Sequence, residues 1–342
     1  MRWIKNIALI GAGGCLFAIV LLAGLLFYQA TTPVSDKPER VIFDIPPGLT
    51  LKQISVRLAQ QKLIPSASAF RILAYLKNQQ NLVKVGEYAL SPTQLPSQIL
   101  DQLTSGKAIL YSITIPEGYR ITEIDNLLKQ SRLVKDDEFI RHTQDPQLIR
   151  QWAIPTRSLE GYLFPETYNF SRYTGAQKIV ETLLDTFKDR VLKKEYLDRA
   201  RALGFTFHEI VTLASLIEKE TGVDEERKLI SSVFHNRLKK RMRLQTDPSV
   251  IYALEEFDGN IRKRDLFVDS PYNTYRYSGL PPGPIANPGL KSVIAALFPV
   301  RTNHLYFVSK QDGSHYFSST LEEHNRAVKK YQLQRVNRAG NN

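Results

Sequence analysis

Near its N-terminus the chain carries 22 consecutive residues without a charge, at positions 7–28. As a helix this segment would span about 33 Å, enough to cross a bilayer hydrocarbon core of roughly 30 Å. Arg2 and Lys5 precede the segment, and the first charge after it is Asp36. The positive charge on the N-terminal side predicts a single-pass anchor, with residues 1–6 in the cytoplasm and the remainder of the chain outside.

A cleaved signal peptide is the alternative interpretation of this segment. The apolar region of a signal peptide is normally about 7–15 residues long and ends at a pair of small residues. Here the run is longer, and Tyr28 stands where a small residue would precede Ala30. We therefore predict an uncleaved anchor in contact with membrane lipid, followed by a polar linker at residues 29–40.

The composition excludes several classes of protein. The 342 residues suggest about two domains, and 43% of them are hydrophobic, too many for a disordered chain. The net charge of +12 favours an anionic partner, although an extracytoplasmic location argues against nucleic acid. The single cysteine, the scattered histidines and the lack of P-loop or nucleophile-elbow motifs exclude the commonest metal and nucleotide sites. We therefore expect neither a metal nor another cofactor.

A short segment recurs at an offset of 70, where residues 45–54 align with residues 115–124. Each copy predicts an alternating strand, at residues 41–45 and 111–115, then a turn containing Pro and Gly, then a helix with apolar i, i+3 and i+4 spacing. Such a unit resembles half of a LysM-type glycan-binding module. Strand–helix units are also common packing devices, and the pattern alone favours that plainer interpretation.

From residue 150 onward the sequence predicts long helices with clear caps. Thr206 and Glu209 form a capping box that begins a helix over residues 207–221. Alternating segments at 304–310 and 315–318 flank an Asp-Gly turn and predict a β-hairpin. The predicted class is α+β, with an N-terminal transmembrane helix, a strand–helix region and a helix-rich C-terminal half that carries a small β-hairpin.

One carboxylate stands out on the helix predicted over residues 207–221. The apolar stripe of this helix continues from Ala214 to Glu218, where an apolar residue is expected. Partial burial and the negative end of the helix dipole both favour the protonated acid there, which could protonate a leaving oxygen. The alternative is a helix-end residue that turns outward beside Lys219. Glu220 points to a different face and is not the automatic partner of Glu218.

Residues 269–289 form a long segment rich in Tyr, Asn, Pro and Gly. Aromatic faces and amide groups suit sugar rings and N-acetyl groups, whereas the plainer interpretation is a structural connector. Loops longer than about 12–15 residues are usually functional or disordered. A hydrolase with two carboxylates would need a partner for Glu218, such as Asp247 or Asp269, and neither has a local context that marks it as a base.

Six ordered motifs together resemble the endolytic murein transglycosylase family, also called the YceG-like family. Their order and spacing cover roughly residues 40–335, and the predicted anchor also fits. The motifs are EGYLFPETY at 160–168, ASLIEKET at 214–221, NRL at 236–238, MRLQTDP at 242–248, NTY at 273–275 and GLPPG at 279–283.

The resemblance implies an enzyme of the bacterial cytoplasmic (inner) membrane that cuts peptidoglycan glycan strands internally. It implies a LysM-like region at residues 41–140 and a periplasmic catalytic domain at residues 150–335, with peptidoglycan synthases as further partners. It also implies that Glu218, in the IEKET motif, is the catalytic residue. The candidates for holding the glycan are Gln245, Asp247, Asn273 and Tyr275.

In the reaction that the resemblance implies, Glu218 protonates the oxygen of the bond between N-acetylmuramic acid and N-acetylglucosamine. It then takes the proton from the C6 hydroxyl of the same muramic sugar as that oxygen attacks C1. The product is a 1,6-anhydro end, which would terminate strand elongation, and intramolecular attack has a large effective-concentration advantage. Two alternatives remain: a glycoside hydrolase on the same polymer with Asp247 as second carboxylate, and a non-enzymatic tether whose repeat binds peptidoglycan.

Overall fold

The structure, a computed structural model, describes residue 17 and residues 19–333. The predicted cytoplasmic segment at 1–6, and residues 7–16 and 18 of the predicted anchor, lie outside the described residues. The first described helix, α1, covers Ile19–Thr31. Within the described part of the chain no single helix is long and apolar enough to cross a membrane. Two helices joined at a 90° bend, Lys194–Ala202 and Phe207–Glu220, meet the limits of length and composition only as a pair.

The chain divides into two compact units. The first comprises Met1–Tyr111 and Asn169–Thr174, and the second comprises Ser112–Tyr168 and Gly175–Asn342. The domain limits expected from the sequence, 41–140 and 150–335, stay a prediction.

The first unit packs three helices against a two-stranded sheet. Its elements are β1 (Val41–Ile45), α2 (Leu51–Gln60), α3 (Ala67–Leu76), β2 (Gly86–Leu90) and α4 (Pro96–Ser105). β1 pairs antiparallel with β2, from Val41 opposite Leu90 to Ile45 opposite Gly86. Alternate residues of both strands are buried, so that one face of the sheet joins the helices in the core. The core includes Phe43, Leu58, Phe70, Tyr88 and Leu100.

Both copies of the repeat form the predicted strand, turn and helix. In the first copy β1 leads through Gly48, at φ +88°, into α2. In the second copy β3 (Tyr111–Thr114) leads through Gly118, at φ +77°, into α5 (Ile121–Gln130). A positive φ explains the glycine in each turn, because a side chain would be strained there. The likeness to a LysM module stays a prediction.

The remaining elements form the helix-rich part of the second unit and its small sheets. In chain order they are α6 (Glu138–Thr143), α7 (Pro146–Gln151), β4 (Thr167–Phe170), α8 (Ala176–Val191), α9 (Lys194–Ala202), α10 (Phe207–Glu220), α11 (Asp224–Lys239), α12 (Asp247–Ala253), a 3-10 turn (Asp265–Phe267), α13 (Leu290–Leu297), β5 (Tyr306–Ser309), β6 (His315–Ser318), α14 (Leu321–Val328) and a π-helical turn (Lys329–Leu333). β3 pairs with β4, and β5 pairs antiparallel with β6.

α10 is the central helix of the second unit. Residues 210–217 are all buried, and α9, α11, α12 and α13 pack around the helix. Thr206 and Glu209 form the predicted capping box at its start. Since the middle of α10 is enclosed, only its last turn brings Glu218 and Glu220 towards polar surroundings.

The structure confirms the α+β class and the predicted C-terminal hairpin. In the hairpin Ser309 lies opposite His315. Thr246 is the N-cap residue of α12 but its side chain makes no capping hydrogen bond, and Pro248 is the second residue of the helix.

Candidate active site

A cavity of about 450 Å³ in the second unit lies at the end of α10. The β5–β6 hairpin, α11 and α14 complete its wall, together with the residues just before α12. Its wall combines ionisable, amide and aromatic groups, as a binding site for a polar ligand requires. Its polar side chains include Glu220, Arg237, Gln245, Asp247, Tyr275 and His315.

Glu220 is the last residue of α10 and is half-buried. Burial raises the pKa of Glu220 to about 7, and the nearby Asp247 carboxylate adds to the rise, whereas a side-chain hydrogen bond with Thr246 and the charge of Arg237 oppose it. A carboxyl group with this pKa is protonated for a large part of the time near neutral pH, so that it can give a proton to a leaving oxygen. Sequence reasoning assigned no role to Glu220, because it faces away from Glu218. The cavity lies on the face that Glu220 occupies.

Three of the four predicted glycan-binding residues line this cavity with Glu220: Gln245, Asp247 and Tyr275. The Tyr275 hydroxyl donates a hydrogen bond of 2.6 Å to Oδ1 of Asp247. Burial, with Asp247 accepting this bond, raises the pKa of Tyr275, so the phenol stays a donor. Gln245 has a left-handed backbone conformation, at φ +51°, and its backbone N–H donates a hydrogen bond to the carbonyl of Thr274. The three side chains offer both donors and acceptors to a sugar.

Asn273, the fourth predicted residue, lies in a different setting. It is fully buried, and its Nδ2 donates to the carbonyls of Leu266 and Val268 at 3.0 and 2.8 Å. Its Oδ1 accepts a hydrogen bond from the backbone N–H of Tyr275 at 2.9 Å. Asn273 therefore fixes the loop that carries Tyr275, and its side chain does not line the cavity.

Glu218, the predicted catalytic residue, lies on the other side of the last turn of α10. Its side chain is 5% exposed, and its Oε2 accepts a hydrogen bond of 2.9 Å from the N–H of Gly289, the N-cap residue of α13. Its Oε1 lies 3.4 Å from Nη2 of Arg227, a side chain that is 7% exposed. Sequence reasoning placed Glu218 only at the negative end of α10. The positive end of α13 and the Arg227 cation also face it, so that both of its oxygens have partners.

Glu117, from the second copy of the repeat, lies beside this pair and was missed by sequence reasoning. Its Oε2 is 4.0 Å from Nη2 of Arg227. Burial, followed by the charge of Glu218, raises the pKa of Glu117. A signal was available, because the matching position of the first copy is Pro47, and an acidic residue in only one copy points to a role outside the shared fold.

A larger cavity, of about 750 Å³, lies elsewhere in the second unit, but its histidines and its carboxylate already bond other groups of the protein. Glu209 there closes the capping box of α10. His208 bonds the Tyr162 hydroxyl at 2.7 Å and the carbonyl of Pro282 at 3.0 Å, and His235 bonds a backbone carbonyl at 2.8 Å. The chemistry therefore points to the smaller cavity.

Comparisons with known proteins agree with the motifs. The family model described as the YceG-like family matches residues 43–330. The chain is 35% identical to the endolytic murein transglycosylase of Bacillus subtilis (strain 168), over 91% of each protein. It is 29% identical to the endolytic murein transglycosylase of Streptococcus pneumoniae serotype 2 (strain D39 / NCTC 7466), over 97% of this chain and 64% of that protein. A crystal structure of a YceG-like protein from Listeria monocytogenes is 37% identical, with a TM-score of 0.58, and the match covers 84% of this chain and 98% of that one.

Proposed function

We propose, from the premise that this chain belongs to the YceG-like family, that it is a lytic transglycosylase acting within peptidoglycan glycan strands. The single observation that carries the proposal is Glu220, a half-buried carboxylic acid with a pKa of about 7, in a cavity with Asp247 and Tyr275. The Bacillus subtilis relative, named as an endolytic murein transglycosylase, supplies the class of substrate.

The bond cut is the one between N-acetylmuramic acid and N-acetylglucosamine. The acid protonates the bridging oxygen, the C1–O bond breaks, and the C6 hydroxyl of the same muramic sugar closes on C1. The product carries a 1,6-anhydromuramic end. Because the nucleophile is part of the substrate, no water has to be positioned, and the intramolecular attack gains a large effective concentration.

We assign the acid to Glu220 in preference to Glu218, which the family resemblance had indicated. Both oxygens of Glu218 already have partners, the N–H of Gly289 and the guanidinium of Arg227, and Glu218 does not line the cavity. Glu220 does line the cavity, and its environment favours the protonated form. Glu218 then has a structural role: its side chain links the C-terminal turn of α10 to the N-terminus of α13.

The glycan is held by Gln245, Asp247 and Tyr275, whose side chains line the cavity around Glu220. Asn273 contributes indirectly, because it fixes the loop that places Tyr275. An N-acetylated sugar presents hydroxyl and amide groups, which match the carboxylate, amide and phenol groups on this wall.

Residues 7–28 anchor the enzyme in the cytoplasmic membrane, with the catalytic part on the outer side, where nascent strands emerge. Cutting nascent strands close to the membrane terminates their elongation, and peptidoglycan synthases are the partners that such a position brings near. The net charge of +12 suits the carboxylates of peptide stems and anionic lipid.

A glycoside hydrolase on the same polymer is the second candidate. It would need a second carboxylate near the acid, and Asp247 lies in the same cavity as Glu220. Tyr275 already occupies one oxygen of Asp247, which leaves the other for a water or a sugar hydroxyl.

Mass spectrometry of the fragments that the full-length chain releases from uncrosslinked peptidoglycan in detergent separates these candidates. The proposal expects 1,6-anhydromuramic ends. Reducing ends would overturn it in favour of the hydrolase. Glycan binding without any cleavage would overturn it in favour of a non-enzymatic tether.

A further inference from the structure

A histidine–carboxylate pair lies in the wall of the same cavity. His315 begins β6 and lines the cavity, and its Nδ1 lies 2.6 Å from Oε2 of Glu226. The backbone N–H of His315 donates a second hydrogen bond, of 2.8 Å, to Oε1 of Glu226. Glu226 lies in the first turn of α11 and is 8% exposed. Two bonds to one buried carboxylate therefore hold this histidine in place.

The pair also determines which ring nitrogen is free. The carboxylate of Glu226 accepts, so Nδ1 of His315 carries a proton, and in the neutral ring Nε2 presents the lone pair. Among residues 19–333 Nε2 has no hydrogen-bond partner. The ring is fixed further by Phe307, at 5.5 Å between centroids and 90° between planes, and by Phe317 at 6.4 Å. A neutral imidazole held in one orientation by a carboxylate is the arrangement of a general base.

We propose that His315 is the general base of the reaction, acting on the substrate hydroxyl while Glu220 acts as the acid. This inference rests on the proposed transglycosylase function. It divides between two residues the acid and base tasks that a single carboxylate would otherwise perform in turn. Glu226 is a positioning residue, which holds the imidazole and stabilises the imidazolium that forms.

The step balances with these two groups alone. Glu220 gives its proton to the bridging oxygen as the C1–O bond breaks, and the departing sugar keeps a free hydroxyl. The C6 oxygen forms the new bond to C1 and gives its proton to Nε2 of His315. The enzyme is left with a Glu220 carboxylate and a His315 imidazolium, and one proton passed from the imidazolium to the carboxylate through solvent restores both.

The cavity supplies the charges that act on this imidazole. Glu226 bonds the ring from α11. The titratable groups that line the same cavity as His315 are Arg237 on α11, Glu220 on α10, Asp247 at the start of α12, Tyr275, Tyr306 on β5 and His324 on α14. Glu226 is the group in direct contact with the ring. The activity should fall on the alkaline side as Glu220 loses its proton.

Imidazole rescue tests the proposal in the full-length chain. His315→Ala should lower the rate of anhydromuramic-end formation by about 10²–10⁴-fold. Added imidazole should then raise the rate of this variant at least about tenfold, because the truncated side chain leaves room for the ring. A histidine with only a structural role would not be replaced by free imidazole. Two matched controls, His324→Ala in the same cavity and His304→Ala near the hairpin, should lose less and gain nothing from imidazole.

Glu226→Gln tests the role of His315 independently, including the case in which His315→Ala folds poorly. It preserves size but removes the negative charge that supports the imidazolium and one of the two acceptor oxygens that hold His315. The rate should therefore fall by about tenfold or more, and the pH profile of the rate should change. Wild-type rates in His315→Ala, loss without rescue, or an unchanged profile in Glu226→Gln would overturn the role of His315. If the wild type itself forms no anhydromuramic ends, the proposed function fails, which is a distinct result.

Discussion

Glu218 and Glu220 lie two residues apart in the last turn of α10, and their surroundings differ in charge and in access. Glu218 is 5% exposed and is held by Arg227 and by the N-terminus of α13. Glu220 faces a cavity, and burial together with Asp247 raises its pKa to about 7. A carboxylate in a buried turn is structural where a cation and a backbone N–H hold both of its oxygens, as at Glu218. It can act as a proton donor where it borders an open cavity and burial favours its protonated form, as at Glu220.

The largest expected effect comes from removing the cation that holds Glu218. Arg227→Met leaves Glu218 buried without its cation, so the free energy of unfolding should fall by about 3–5 kcal/mol, as measured by denaturant unfolding. Lys291→Met is the matched control, because the exposed Lys291 bonds the same Asp224 as Arg227 does and should change stability far less. Equal effects of the two variants would contradict the account of Glu218.

A third carboxyl group, that of Glu160, has a raised pKa but lies away from the cavity, and we expect it to have no part in catalysis. It accepts hydrogen bonds from Ile121 N–H and Asn287 Nδ2, and burial raises its pKa to about 8. The folded protein then holds a proton that the unfolded chain releases between about pH 4.5 and 8, so stability should fall as pH rises through that range. Glu160→Gln should remove most of this pH dependence, measured as the change in Tm between pH 5 and pH 8.5, and should keep cleavage activity. Loss of activity with an unchanged Tm would contradict this.

The pH dependence of the rate tests whether Glu220 is the group that supplies the proton. Glu220 must be protonated to act as the acid, and its pKa is about 7. The initial rate should therefore fall about tenfold for each pH unit well above 7. Glu218→Gln should leave this alkaline limb where it is. A limb that disappears in Glu218→Gln would assign the proton to Glu218.

The smallest expected effect concerns glycan holding. Tyr275→Phe removes the hydroxyl that bonds Asp247, at a cost of about 1 kcal/mol in binding. We expect KM to rise severalfold, with a smaller change in kcat, in assays on soluble glycan fragments. Tyr277→Phe, on the same loop but not lining the cavity, is the matched control and should leave KM unchanged.

The sequence predicted the local elements well, because caps, turns and apolar spacing are local signals. The strand–turn–helix copies, the capping box at Thr206 and the β5–β6 hairpin all have this basis. The cavity could be anticipated in part, since the motif resemblance indicated Gln245, Asp247 and Tyr275. Helix periodicity could show that Glu218 and Glu220 face apart, but it could not show which face would meet a cavity.

That choice depends on contacts between residues distant in the sequence. Glu226 and His315 are 89 residues apart, and Gly289 lies 71 residues from Glu218. Asn287 likewise holds the N–H groups of Gly161 and Leu163 across more than a hundred residues. A single sequence contains no local pattern that reports such pairs.

The central claim is that Glu220 is the acid and Glu218 is structural. The most direct measurement compares the initial rate of anhydromuramic-end formation by full-length Glu220→Gln and Glu218→Gln, with Tm showing that both are folded. The account predicts a loss of about 10³-fold or more for Glu220→Gln and less than about tenfold for Glu218→Gln. An inactive, folded Glu218→Gln beside an active Glu220→Gln would contradict it.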